Sequence, residues 1–206
     1  EGGIRPASQV FLKSLRELCD ENGLLLMFDE VQCGVGRSGT LFAHEHYAVE
    51  PDVMAIAKGL GGGFPVGACL ANEAVSTSMK FGSHGSTFGG NPLAMAVADA
   101  VLDLVLEPSL LKDVNSKAGF LISELEALTI KYPQSISSVH GLGLMLGVKC
   151  VGENTKLLLE LREHGLLVGK SGDNMIRLLP PLNVSQAELE RALTLIETVL
   201  QNTEGT

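Results

Sequence analysis

The sequence reads LLLMFDEVQCGVGRSG at residues 24–39 and VMAIAKGLGGGFPVG at residues 53–67. Each segment starts with an apolar run, and the first run is typical of a strand that is buried on both faces of a sheet. The first run ends in Asp29 and Glu30, and the second ends in Lys58 and a series of glycines. In open α/β sheets, ligands bind beyond the carboxyl ends of the strands. The two segments therefore predict an acid and an amine at a ligand-binding edge.

The elements around these segments alternate between helix and strand, which favours an α/β fold with right-handed crossovers. A helix of about 16 residues is predicted to end at Gly23, with Pro6 in its first turn. Asn91 is a typical cap for a second helix, which we expect to continue to about Leu106. We therefore expect residues 1–106 to form an α/β unit that ends near residue 106.

Residues 107–206 show fewer and more segregated strands and helices, as in a small α+β domain. The patterns predict helices over about 110–132, 155–164 and 185–200, and strands over about 142–151, 166–168 and 175–179. No low-complexity linker separates the two parts, and the sequence contains no internal repeat.

Composition excludes several classes of protein. The 206 residues carry a net charge of −9, so the chain lacks the basic field that attracts nucleic acid or an anionic membrane surface. No apolar run approaches the roughly 20 residues that span a bilayer. The four cysteines are far apart in the sequence and form no C-x-x-C pair, which predicts reduced thiols in a cytosol-like compartment, without a disulfide or metal framework.

The pairing of Asp29 with Lys58 fits one cofactor chemistry better than others. An enzyme that uses pyridoxal phosphate needs a lysine to hold the cofactor aldehyde and an acid against the pyridine nitrogen. Taken alone, an acid at the end of a strand is more often a helix cap or a surface charge. The residues around the pair therefore decide between the two interpretations.

Four motifs resemble, in order and spacing, those of the class III pyridoxal-phosphate aminotransferases, the ornithine-type subgroup of fold type I. They are FDEVQCGVGRSG, PDVMAIAKGLGGGFPVGA, GSHGSTFGGNPLA and IRLLPPL, and they extend over nearly the whole chain. The resemblance implies transamination between an ω-amino donor and 2-oxoglutarate, with pyridoxal 5'-phosphate as cofactor. It also implies that residues 1–106 are the C-terminal part of the large cofactor-binding domain and that residues 107–206 are the small C-terminal domain.

The resemblance assigns roles to five residues around the cofactor. Lys58 matches the lysine that binds the cofactor aldehyde, and Asp29 matches the acid at the pyridine nitrogen. Val31, expected on the same strand face as Asp29, matches the residue that packs against the ring. Gln32 matches the partner of the phenolic oxygen, and Glu30 belongs to the same cofactor-binding quartet but alternates to the opposite face.

Four further residues match positions that bind phosphate or substrate. Thr87 matches a hydroxyl that binds cofactor phosphate in the neighbouring subunit, which implies a homodimer with shared sites, and Ser86 matches a substrate contact. Both lie just before the predicted helix at Asn91, where free N–H groups favour an anion. Arg177 matches the arginine that receives a substrate carboxylate, and Glu1 matches the acid that pairs with this arginine when an ω-amine donor is bound.

Other interpretations of these residues remain open. Ser86 and Thr87 could satisfy a glycine-rich turn, and Arg177 could form a structural ion pair. The segment from Gly34 to Gly39 fits G-x-G-x-x-G and predicts, as a rival function, a dinucleotide-binding module. The chain starts at Glu1 without methionine and resembles the C-terminal half of the family, so a third interpretation is an inactive fragment. We expect the 206 residues alone to have little activity.

Overall fold

Residues 2–204 are described by the computed structural model, and they form two units. The first unit comprises residues 7–111, and the second comprises residues 2–6 together with residues 112–204. The division therefore lies slightly after the predicted boundary at residue 106. The start of the chain belongs to the second unit because Ile4, which is only 3% exposed, packs against Gly147.

The first unit is built on a mixed three-stranded sheet in the order β1-β2-β3. β1 pairs with β2 in parallel, and β2 pairs with β3 in antiparallel orientation. Its elements are α1 (Gln9–Asn22), β1 (Met27–Asp29), β2 (Val53–Ile56), β3 (Ala68–Ala71), α2 (Glu73–Ser76) and α3 (Pro92–Val105). Two 3₁₀ helices, Ala43–Tyr47 and Lys58–Gly61, lie in the connections.

The helix boundaries in this unit follow from capping residues. The Ser8 hydroxyl accepts the Phe11 N–H at the start of α1, so the prediction that Pro6 lies in the first turn is wrong. Gly23 ends α1 in the left-handed region at φ 63°, which confirms the predicted stop. At α3, the Asn91 side chain accepts the Ala94 N–H, which confirms the predicted cap.

The burial of β1 differs from the prediction. Leu24, Leu25 and Met27 are 55%, 56% and 66% exposed, whereas Leu26 is 7% exposed. β1 is an edge strand of the described sheet, so fewer neighbours cover it than the apolar run predicts. An apolar run shows that a strand can be buried but does not identify what buries it.

Asp52 connects three elements of the first unit. Its Oδ2 accepts the Leu26 N–H at 2.8 Å and the Arg16 guanidinium at 2.9 Å, and its Oδ1 accepts the Asn72 side chain at 2.8 Å. The Leu26 N–H and then Arg16 lower the pKa of the Asp52 carboxyl below its ordinary value. The ionised carboxylate therefore links α1 to the start of β2 and to the end of β3.

We expect Asp52→Asn to lower the free energy of unfolding by about 2 kcal/mol at pH 7, because hydrogen bonds to a charged acceptor are lost. A carboxyl whose pKa is depressed by folding stabilises the protein above its unfolded-state pKa, and this stability is lost as pH falls through the folded-state pKa. The difference in thermal unfolding midpoint between Asp52→Asn and wild type should therefore shrink below about pH 4. Asp99→Asn, at an exposed carboxylate on α3, is the control. A difference that is independent of pH would contradict the assignment.

The second unit is an antiparallel four-stranded sheet in the order β4-β5-β7-β6 with helices packed on it. Its elements are α4 (Pro108–Lys131, which begins before the division), β4 (Ile136–Leu142), β5 (Met145–Cys150), α5 (Asn154–Glu163), β6 (Gly169–Ser171), β7 (Met175–Leu178) and α6 (Gln186–Glu204). α4 buries residues at helical spacing, among them Val114, Ala118, Leu121 and Leu125. The helices of this half were predicted to within a few residues.

The strands predicted at 142–151 and 175–179 are confirmed as β5 and β7, but two features of this sheet differ from the prediction. The predicted strand at 142–151 is the second arm of a hairpin, and its first arm, β4, was missed because Ser137, Ser138 and His140 interrupt the apolar pattern. The short strand predicted at 166–168 lies instead at Gly169–Ser171, where it pairs with β7. Polar and small residues form these strands because backbone pairing does not require an apolar side chain.

Candidate active site

The structure brings Asp29 and Lys58 to one edge of the first unit's sheet. Asp29 is the last residue of β1 and is in register with Ala55 of the parallel strand β2. Lys58 follows Ala55 by three residues, which span at most about 11 Å, and adjacent strands are about 4.8 Å apart. An acid and an amine therefore follow the carboxyl ends of two neighbouring parallel strands.

The turn after Asp29 orients its carboxylate. Asp29 Oδ1 accepts the N–H of Val31 at 3.0 Å. β1 ends at Asp29, so the expectation that Val31 lies on the same strand face is wrong, and Val31 is a half-buried turn residue. Gln32 is also half-buried in this turn. The contacts of Val31 and Gln32 with a cofactor remain predictions.

Two of the five described non-glycine residues with a left-handed backbone are Lys58 and a residue close to its loop. Lys58 has φ 43° and Val35 has φ 53°, which is a left-handed conformation that a β-branched residue adopts rarely. Val35 is 2% exposed, and a Cβ added to Gly59 would lie 3.3 Å from the Val35 Cβ. Strained residues of this kind cluster at functional sites, where the surrounding packing holds them in place. The sequence alone contains no signal for the strain at Val35.

Glu30 has a structural role in this unit. It is 3% exposed, its Oε2 accepts the Ala43 N–H at 2.6 Å, and its Oε1 accepts the His44 N–H at 2.9 Å. Both oxygens therefore hold the start of the 3₁₀ helix Ala43–Tyr47. These contacts do not support the predicted role of Glu30 in cofactor binding, which remains a prediction.

Neither a reactive thiolate at Cys33 nor dinucleotide binding by the G-x-G-x-x-G motif is supported at this edge of the sheet. Burial, reinforced by the negative charge of Glu30, raises the pKa of the Cys33 thiol to about 11, so the thiol is protonated at neutral pH. The segment from Gly34 to Gly39 forms turns and leads to the 3₁₀ helix Ala43–Tyr47. A dinucleotide fingerprint requires an α-helix that starts within the motif, so the geometry does not fit the rival function.

The loop before α3 carries Ser86 and Thr87, and both residues are exposed. The Ser86 hydroxyl accepts the Gly89 N–H at 3.0 Å, which is the turn-forming contact of the simpler interpretation. Phe88, beside Thr87, is 81% exposed. The roles of the two hydroxyls in substrate and phosphate binding remain predictions.

In the second unit, Arg177 is a half-buried residue of β7. Glycines occupy its register positions on both neighbouring strands, Gly147 on β5 and Gly169 on β6. A Cβ added to Gly169 would lie 3.2 Å from Arg177 Nε and 3.4 Å from Nη2, so the side chain extends across β6 at this glycine. Glu1, the predicted partner of Arg177, lies outside the described residues.

The chemistry of the residues present fits pyridoxal phosphate. The exposed Lys58 amine has no hydrogen-bond or ion-pair partner within residues 2–204, so it is available to an aldehyde. The Asp29 carboxylate lies at the same edge of the sheet, and its hydrogen bond from the Val31 N–H fixes its orientation. Within that described range, no group of three or more His, Cys, Asp or Glu side chains could hold a metal ion, and no helix has the length and apolarity to cross a membrane.

Comparison with known proteins gives consistent matches over nearly the whole chain. The family described as aminotransferase class-III matches residues 1–200. Acetylornithine aminotransferase of Mesorhizobium japonicum is 57% identical over 196 residues, which are 95% of this chain and 49% of that protein. The chain thus spans about half the length of the curated relatives it matches.

Solved structures give the same result for the fold. An acetylornithine aminotransferase from Elizabethkingia anophelis superimposes with a TM-score of 0.87 at 39% identity, over 95% of this chain and 52% of that chain. The ornithine aminotransferase of Toxoplasma gondii ME49 superimposes with a TM-score of 0.91 at 32% identity, over 98% and 49%.

Proposed function

The chain belongs to the class III aminotransferases, as its motifs predict, and from this premise we propose that the complete protein is a pyridoxal-phosphate-dependent acetylornithine aminotransferase of arginine biosynthesis. It transfers the amino group of an ω-amino donor, N-acetylornithine, to 2-oxoglutarate. The observation that carries this proposal is the position of Asp29 and Lys58 at the ends of two adjacent parallel strands. The names of several relatives that are 47–57% identical to the chain support the choice of donor.

Pyridoxal phosphate supplies a protonated aromatic ring that accepts the electrons released when a bond at the substrate's amine-bearing carbon breaks. In the proposed mechanism, the Asp29 carboxylate stabilises the proton on the pyridine nitrogen. Lys58 Nζ would hold the aldehyde of the cofactor, and the same amine would move the proton to or from that carbon. The Asp29 carboxylate is held for this role by the Val31 N–H.

Arg177 binds a carboxylate of the substrate in this proposal. A guanidinium presents a planar fork of donors that matches the two oxygens of a carboxylate. 2-Oxoglutarate carries two carboxylates, so it requires a receptor of this kind. Gln32, Glu30, Val31, Ser86, Thr87 and Glu1 keep the roles that the family resemblance implies.

The complete protein is proposed to act as a homodimer in the cytoplasm, with Thr87 binding the cofactor phosphate of the partner subunit. Several large apolar side chains close to Thr87 in the sequence are exposed: Met79, Phe81, Phe88 and Leu93 are 55%, 109%, 81% and 61% exposed. Apolar residues concentrated in this way are typical of a protein–protein interface. The cysteines are free thiols, in keeping with a reducing compartment.

A panel of amino donors tests the substrate. We expect the complete gene product with 2-oxoglutarate to show a kcat/KM for N-acetylornithine at least about 10-fold above that for ornithine, succinyldiaminopimelate or 4-aminobutyrate. Glutamate formation is the measurement, and a reaction without donor is the control. A preference for one of the other donors would replace the substrate but keep the reaction class. No glutamate from any donor would refute the proposed function.

A further inference from the structure

The two glycines beside Arg177 create an asymmetric environment for its side chain. Gly147, Arg177 and Gly169 form one row across β5, β7 and β6, so Cβ atoms at the three positions would point to the same face of the sheet. On the β5 side, Ile4 occupies the space above Gly147, where an added Cβ would lie 2.9 Å from the Ile4 Cβ. The β5 side of the row is therefore closed to the guanidinium.

The β6 side is open because residue 169 has no side chain. An added Cβ would lie 3.2 Å from Arg177 Nε, 3.4 Å from Nη2 and 3.6 Å from the Arg177 Cβ. The first distance is shorter than an ordinary van der Waals contact and the second is at the lower limit of one, so Arg177 would have to move by a few tenths of an ångström. The direction of the guanidinium thus depends on the absence of one methyl group.

We propose that Gly169 positions Arg177 for carboxylate binding, so that residue 169 determines how well the protein binds dicarboxylate substrates. The inference rests on the proposed function, in which Arg177 receives a carboxylate. A bidentate contact requires both nitrogen donors to align with both carboxylate oxygens, and this makes it sensitive to small displacements. Gly169 does not touch the substrate itself; it acts through Arg177.

The test is a double-mutant cycle on the complete gene product loaded with pyridoxal phosphate. The variants are Gly169→Ala, Arg177→Ala and the double variant, and the probe is glutarate, a five-carbon dicarboxylate that has no amino or keto group to react. Titration calorimetry gives its Kd directly, independently of turnover. Gly152→Ala is the matched control, because a Cβ at Gly152 meets nothing within 4 Å.

We expect Gly169→Ala to raise the Kd of glutarate by about 3- to 10-fold, with a parallel rise in KM for 2-oxoglutarate. In the Arg177→Ala background the same substitution should have no further effect, because its target is gone. Gly152→Ala should leave the Kd unchanged, and all variants should keep the wild-type unfolding midpoint within about 2 °C.

Suppose first that Arg177→Ala binds glutarate more weakly than wild type, as the proposed function requires. The inference about Gly169 is then overturned if Gly169→Ala leaves the Kd unchanged, or if it raises the Kd equally with and without Arg177. If Arg177→Ala itself binds glutarate as tightly as wild type, the proposed role of Arg177 fails and the inference fails with it. The Arg177→Ala measurement therefore distinguishes the two failures.

Discussion

Replacing Lys58 with alanine is expected to lower kcat of the complete gene product by at least about 10³-fold and to abolish covalent attachment of pyridoxal phosphate. Both effects have one cause, since alanine has no amine to hold the aldehyde or to move the proton. Attachment is measured by borohydride reduction followed by mass spectrometry, in which the wild-type peptide that contains residue 58 should gain the mass of the cofactor less one oxygen atom.

The control for this experiment is Lys13→Ala, at an exposed lysine of α1 in the same unit. It should keep both the attachment and the wild-type kcat. If the Lys58→Ala variant still gains the same mass after reduction, or keeps more than about a tenth of the wild-type kcat, another amine performs the chemistry and the proposed site is wrong.

The helices of this fold could be predicted because their signals are local. Ser8 and Gly23 bound α1, Asn91 opens α3, and each acts through hydrogen bonds or a conformation within its own turn. The strands were harder to predict, since a strand is defined by its neighbours. β4 carries serines and a histidine, and it is recognisable only from its pairing with β5. Burial is equally hard to predict from the sequence, because the apolar run at β1 predicts a buried strand whereas β1 is largely exposed.

The placement of Asp29 and Lys58 in the candidate site was predictable, because it depends only on the residue types and on where two strands end. Asp29 and Lys58 follow apolar runs, and parallel pairing of those runs places them at one edge. Glu30 was not predictable in the same way. It adjoins Asp29 in the sequence, yet its carboxylate holds the Ala43 and His44 N–H groups, and this contact depends on how the chain returns after a 13-residue separation.

The left-handed backbone at Lys58 is a further physical argument that this residue has a functional role. A left-handed lysine costs of order 1 kcal/mol, and left-handed Val35 costs more because its β-carbon is branched. Packing around buried Val35 must therefore stabilise a conformation that neither residue prefers. The left-handed backbone sets the direction of the Lys58 Cα–Cβ bond before any ligand binds.

Replacing Gly141 with alanine is expected to have the largest effect on stability. Gly141 lies in β4 at φ 133°, a conformation that side chains rarely adopt, and its added Cβ would overlap the Met145 carbonyl oxygen and lie 3.0 Å from the Leu146 Cα. Both atoms belong to the backbone of β5, so only separation of the hairpin relieves the overlap. We expect a loss of more than about 4 kcal/mol in the free energy of unfolding, seen as a fall of about 10 °C in the thermal midpoint.

Gly119→Ala provides a control of opposite sign on the same unit. Gly119 is an exposed residue of α4, and a Cβ there meets nothing within 4 Å, so alanine should stabilise the helix by about 0.5–1 kcal/mol. The same chemical change is therefore expected to destabilise at residue 141 and to stabilise at residue 119. A Gly141→Ala protein that unfolds at the wild-type temperature would contradict the prediction. It would show that the hairpin tolerates a side chain at residue 141, and that the close approach of β4 to β5 does not stabilise this sheet.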